Sequence, residues 1–256
     1  MPWLAAWALT TDHVSFRTAF WTLEDAAAWA LFVAVGYMAL EPSFRRRWPW
    51  RIISWNRLLA GRLRDPLVGR DVLIGGLVGV FFVLVTELPW LALSWTAGSP
   101  HPPSPIAWQA LNGLPAVAGL ALDREWTAIS LALLLYLLAF LLLLLCRRPG
   151  LAVSAFLLCW SVGLWMNDLS LVRGLVAMLA LVAVLVVLMR TGLLTLVVAL
   201  YYWQLLGQMP ITYDFSAWYA RQGLFVVLIL VGLTLYGFLV SLGGRPLFRD
   251  AFFQEG

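Results

Sequence analysis

The sequence predicts an all-α fold: a polytopic helical membrane bundle of about seven transmembrane helices plus an amphipathic interfacial helix. Three observations carry this prediction. The chain is 62% hydrophobic over 256 residues, with a mean hydropathy of +0.88, more apolar surface than a water-soluble chain can bury. Only 12% of residues are charged, and they fall in narrow bands between apolar runs of roughly 16 to 21 residues, the length that crosses a ~30 Å hydrocarbon core as a helix. These runs are apolar on every face, whereas a barrel strand needs a shorter, alternating segment. Finally, eight of the seventeen basic residues, all arginine, crowd the stretch from Glu41 to Asp71. Short arginine-rich loops stay cytoplasmic, so this stretch sets the orientation.

Taken in order, Pro2 to Thr10 is apolar but too short to span and reads as a truncated upstream segment. Residues 11–25 carry Asp12, His13, Arg17, Glu24 and Asp25 and are placed outside. Residues 26–256 then form a single helical membrane domain. Its first span is Ala26 to Leu40, stopped at Glu41-Pro42. The cytoplasmic Arg-rich stretch 41–71 follows with Arg45, Arg46, Arg47, Arg51, Arg57, Arg62, Arg64 and Arg70. Pro49 can open a helix there, and at 100° per residue Ile52, Trp55, Leu59 and Leu63 gather on one side. Arg51, Ser54, Arg57 and Arg64 gather on the other, the pattern of a helix lying in the headgroup plane with Trp48, Trp50 and Trp55 as anchors.

Arg64-Asp65-Pro66 breaks that helix, and Gly69-Arg70-Asp71 leads into the second span, Val72 to Leu91, with Asp71 expected at its N-terminus. Gly75 and Gly79 form a small-xxx-small face for close helix packing. Glu87 is a candidate intramembrane carboxylate, placed near the outer interface. Residues 94–125 form an external connection with a proline cluster at 100–105, in which 107–122 is an interfacial or re-entrant helix. The third span is Trp126 to Leu145 and the fourth Leu151 to Met166, followed by Asp168 and Arg173, a candidate polar pair. Leu171 to Met189, Thr191 to Leu206 and Leu224 to Ser241 complete the count, with an external loop at 207–222. Thirteen arginines then lie inside and four outside, which gives an outside N-terminus and an inside C-terminus. Merging the fourth and fifth spans into a non-crossing hairpin gives a five-span variant with the same sidedness.

Several chemistries find no residues. The net charge of +4 follows membrane sidedness instead of forming a basic soluble face, so nucleic acid is not an expected partner. Cys146 and Cys159 have neither disulfide nor metal-ligand spacing. Both histidines, His13 and His101, lie in connections, so the serine–histidine pair of an intramembrane protease and the H-E-x-x-H helix of a metalloprotease are absent. No catalytic residue, metal or cofactor is expected. A transporter needs polar groups near mid-membrane in broken helices, and only Glu87, Asp168 and Arg173 offer themselves.

The run Leu40-Glu41-Pro42, Arg45-Arg46-Arg47-Trp48-Pro49, Ile53-Ser54-Trp55, Arg57 to Arg62 and Arg64 to Asp71 resembles the membrane region that follows the catalytic domain in certain bacterial serine/threonine protein kinases. Asp214 to Ala220 and Gly244 to Phe248 are similar to later parts of that region. The kinase domain itself is absent from this chain. The resemblance implies a multi-pass module of a bacterial cytoplasmic membrane, with a sensory or anchoring role in signalling and no catalysis. It marks Arg57, Gly61, Arg64, Asp65, Pro66, Gly69, Arg70 and Asp71 as motif positions of unknown role. The arginine stretch, with Trp55, is the expected docking surface for anionic lipid headgroups or a cytoplasmic signalling partner. The alternatives are a small-solute transporter or channel, or an accessory subunit of a membrane complex.

Overall fold

The computed structural model describes residues 52–97, 108–146, 148–165, 171–212 and 214–244, with Leu31, Ala34, Val35 and Met38 as isolated helical positions. Most of the first span expected at 26–40, and the tail from Arg245, lie outside the described residues. Everything regular among those described is helical: α1 (Ile53–Leu59), α2 (Pro66–Ala97), a 3₁₀ turn (Trp108–Asn112), α3 (Leu114–Cys146), α4 (Pro149–Trp165), α5 (Leu171–Arg190), α6 (Leu193–Gln208) and α7 (Ala220–Ser241). Among the described residues, three stretches are long and apolar enough to cross a membrane: Pro66–Glu87, Leu114–Cys146 and Ala220–Ser241. The all-helical expectation is met, and the expected seven crossings are met in part by these three.

The expected external connection 94–125 is corrected. Helix α2 continues to Ala97, and residues 114–125 belong to the start of α3. Pro115 does not prevent this, because it sits in the first turn, where no backbone donor is needed. Gly113, at φ +114°, redirects the chain from the 3₁₀ turn into α3, a conformation that glycine adopts without strain. The loop expected at 207–222 shrinks to 209–219, since Arg221 and Gln222 are already inside α7.

Helix α6 is the centre of the bundle. It touches α1, α2, α3 and α5, and Leu196, Ala199, Leu205 and Thr195 are completely buried. Its 16 residues rise only ~24 Å. A helix wrapped by protein need not match the bilayer, because its neighbours cover it.

Helix α2 is held through glycines on two faces. A Cβ on Gly75 would stand 2.7 Å from Val198 Cβ and 2.8 Å from the Thr195 carbonyl oxygen. One on Gly79 would stand 2.7 Å from the Ala199 carbonyl oxygen and closer still to Tyr202 Cβ. The partners advance along α6 as the glycines advance along α2, so these helices run parallel. On another face, a Cβ on Gly69 would come within 2.5 Å of the Ser241 backbone nitrogen and 2.7 Å of the Gly237 carbonyl oxygen. Gly237 in turn faces Val72 and the Gly69 carbonyl, so α7 runs antiparallel to α2. Helix α7 is tied to α6 by Tyr202, whose hydroxyl lies 2.8 Å from the Leu230 carbonyl and 2.8 Å from Thr234 Oγ1.

The connection from α6 to α7 is closed by Asp214. Its Oδ1 accepts from the Ser216 amide at 2.9 Å and the Ser216 hydroxyl at 2.5 Å, and the Ala217 amide donates to the Asp214 carbonyl at 3.2 Å. The Ser216 hydroxyl first, and then its amide, hold the Asp214 carboxyl below the usual carboxylate value. A depressed folded pKa stabilises the turn above the ordinary value and releases it as pH falls through the depressed one.

Two predictions follow from these contacts. Gly79→Leu should destabilise the protein by about 1–3 kcal/mol through overpacking, whereas Gly232→Leu, where a Cβ meets nothing within 4 Å, should leave the melting temperature in detergent unchanged. Exchange protection of the Ser216 amide, corrected for the intrinsic rate, should be constant from neutral pH to just above 3.8 and fall below it. Protection that persists in stronger acid would contradict the carboxylate's role.

Candidate functional site

The motif residues from Ile52 to Asp71 fold into one junction at the start of α2. Helix α1 stops in a Schellman motif: with Ala60 as its C-cap, the Gly61 amide donates to the Leu58 carbonyl at 3.0 Å and the Arg62 amide to the Arg57 carbonyl at 2.9 Å. This needs a left-handed residue, and Gly61 supplies it at φ +74°. The chain then restarts at Asp65-Pro66. Asp65 Oδ1 accepts from the Leu67 amide at 3.0 Å, and Pro66 occupies the first helical position, where its missing N–H costs nothing. The N-terminal residue of this helix was expected to be Asp71; the cap is Asp65, and Asp71 lies further along the first two turns.

Both aspartates bind back to what precedes them. Asp65 Oδ2 accepts from Arg57 Nη1 at 2.6 Å, so its two oxygens hold a helix start and an arginine together. Asp71, 5% exposed, accepts a short hydrogen bond from the buried Ser54 hydroxyl. Its other oxygen accepts from Arg70 Nε at 3.2 Å and Nη2 at 3.0 Å. A carboxylate this buried requires such donors, since an unpaired one would carry a desolvation cost of several kcal/mol. Helix α7 closes the junction from the side: the Tyr236 hydroxyl donates to the Leu63 carbonyl at 2.5 Å, and Gly243 lies against Pro66.

The amphipathic helix expected around this stretch is corrected in two respects. Trp55 is not an interfacial anchor. It is 8% exposed and, with Ile52, belongs to the core beside α6. Leu59 and Leu63 do not share that burial; they are 62% and 52% exposed, because the helix ends at Leu59 and the turn at Gly61 sends Leu63 elsewhere. Ser54, expected on the polar face, is buried against Asp71. A shared face over these residues requires one uninterrupted helix, and the turn at Gly61 breaks it.

Of the arginines, Arg57 and Arg70 have carboxylate partners, while Arg62 and Arg64 are exposed and have no ion-pair partner among the described residues. In the chain they flank Leu63 and follow Leu59, both exposed. Arg45, Arg46, Arg47 and Arg51 lie outside the described residues. Glu87 is half-buried near the far end of the apolar part of α2, about 32 Å from Pro66 by helical rise, so the junction and Glu87 are not brought together. Asp168 and the Arg173 side chain lie outside the described residues. Gly75 and Gly79 occupy the close helix contact described above, and Gly69 makes a second one. No three His, Cys, Asp or Glu residues come together as metal ligands among the described residues.

The two carboxylates make different contributions. Asp65→Ala removes a helix cap and should cost about 1 kcal/mol, more than Arg57→Gln, which removes a half-exposed pair worth about 0–1 kcal/mol. A double-mutant cycle of Ser54→Ala and Asp71→Asn should show a coupling of about 1–3 kcal/mol in chemical denaturation; additivity would mean that the buried bond contributes nothing. No family model, curated protein or solved structure matches this chain.

Proposed function

We propose that the protein is a non-enzymatic integral membrane module, crossing the bilayer several times, whose arginine junction docks on anionic lipid headgroups. The observation that carries this reading is that Arg62 and Arg64 are both exposed in a short segment whose Leu59 and Leu63 are exposed as well. Guanidinium groups bind phosphate as bidentate donors, and a neighbouring leucine gains by entering the acyl boundary. The other two described arginines of this stretch are matched by Asp65 and Asp71, so the free charge is concentrated where the leucines are.

The finer reading is that about seven helices cross, that the arginine end faces the cytoplasm of a bacterial cell, and that the module is the sensory or anchoring region of a signalling protein. Support for sidedness comes from the distribution of arginines along the chain. Support for a signalling role comes from the residue resemblance to kinase-associated membrane regions, and a cytoplasmic signalling partner would meet the same face.

The test uses the full chain in nanodiscs of phosphatidylcholine with or without phosphatidylglycerol. Anionic lipid should be enriched around the protein. Because each arginine near an anionic surface contributes about 1 kcal/mol, Arg62→Gln with Arg64→Gln should lower that preference at least tenfold, and Arg57→Gln should lower it less. Equal retention of both lipids by the unaltered protein overturns the docking reading.

A further inference from the structure

The arginine junction marks one end of the bundle, and the turn between α6 and α7 lies at the other. Helix α7 ends beside Pro66, through Gly243, and beside Leu63, through Tyr236. Its 22 residues carry the chain ~33 Å from there back to Ala220, close to the ~30 Å thickness of a hydrocarbon core. Helix α6, parallel to α2, ends level with Glu87. Gly223 packs on the Pro210 carbonyl, which fixes both helix ends at the same height.

The turn held between them carries exposed apolar side chains, two of them aromatic. Phe215 is 79% exposed, Trp218 66% and Ile211 39%. Trp218 meets Tyr219 edge-on, with ring centroids 5.5 Å apart. The backbone beneath them is closed on itself: Asp214 accepts from Ser216, the Ala217 amide donates to the Asp214 carbonyl, and the Ala220 amide donates to the Ala217 carbonyl at 2.9 Å. With the Asp214, Ser216, Ala217 and Ala220 amides already bonded to acceptors, this turn enters a poorly hydrated layer at lower cost than an open loop. In water the same rings would form an unexplained apolar patch. Farther along α7, Leu224, Leu228, Val231 and Leu235 are exposed at helical spacing and form one apolar stripe.

We infer that the 214–219 turn is a second membrane anchor, with Phe215 and Trp218 set into the glycerol and headgroup layer of the bilayer face opposite the arginine junction. Its partner is the phospholipid interface itself. Indole and phenyl rings suit that depth, where an apolar body meets buried acyl chain and the indole N–H meets headgroup oxygens. The anchor needs no anionic lipid, which separates it from the arginine junction. It does rest on the reading that α7 crosses the bilayer.

The test places single spin labels at Phe215→Cys, Trp218→Cys and, as an acyl-chain reference, Leu228→Cys, with Cys146 and Cys159 replaced by alanine, in phosphatidylcholine nanodiscs. All three positions are exposed, so the labels leave the packing intact. Labels at 215 and 218 should be more accessible to oxygen than to a water-soluble nickel chelate, at a shallower depth than 228. Greater accessibility to nickel at 215 and 218, with 228 still in the acyl region, overturns the anchor alone. Shielding from both reagents there also overturns it, because a protein surface would then cover the turn. Nickel accessibility at 228 itself overturns the crossing of α7 and the anchor with it.

Discussion

The bundle depends on how closely α2 approaches α6 and α7. Between apolar helices in a bilayer there is little hydrophobic driving force, since lipid tails are as apolar as leucine; association rests on close van der Waals contact and interhelical hydrogen bonds. Gly75 and Gly79 admit the backbone of α6, and Gly69 with Gly237 admits α7. The polar ties sit around these contacts. Tyr202 reaches two groups on α7, and Tyr236 reaches the turn before α2.

The arginine junction shows how one short segment combines a helix stop, a helix start and a charge pattern. Gly61 ends α1, Asp65 and Pro66 begin α2, and each aspartate also holds an arginine. The result is a sorted surface. Arg57 and Arg70 serve the fold through Asp65 and Asp71, and Arg62 and Arg64 are left outside with two leucines. That division underlies the proposed docking on anionic lipid.

Much of the helical architecture was legible because apolar runs without alternation have few other outcomes. The ends of α5, α6 and α7 lie within a few residues of the runs that predicted them, and the glycine spacing at 75 and 79 pointed to the close contact that α6 fills. Other features were hidden for physical reasons. The burial of Trp55 depends on α6, nearly 140 positions later in the chain, and periodicity within one helix cannot reveal it. Pro115 suggested irregularity, although a proline in a first turn costs nothing. Asp71 looked like a cap because it is acidic and precedes an apolar run. Asp65 holds that position, and the Asp-Pro pair was the signal that could have found it. The role of Gly69 had no local sign either, since its partner, Gly237, approaches from the far end of the sequence.

Helix α2 is gripped on two faces that lie roughly 100° apart around its axis, by the 3.6-residue turn. At both grips a glycine lets a neighbouring carbonyl come close, with Val198 and Tyr202 packed beside Gly75 and Gly79, and Val72 and Leu73 beside Gly237. A shaft clamped in this way cannot spin or slide past its neighbours without separating from both, so the mechanical unit of this protein is a trio. Displacing α7 alone would open the Gly69–Gly237 approach and the Tyr202 hydrogen bonds together.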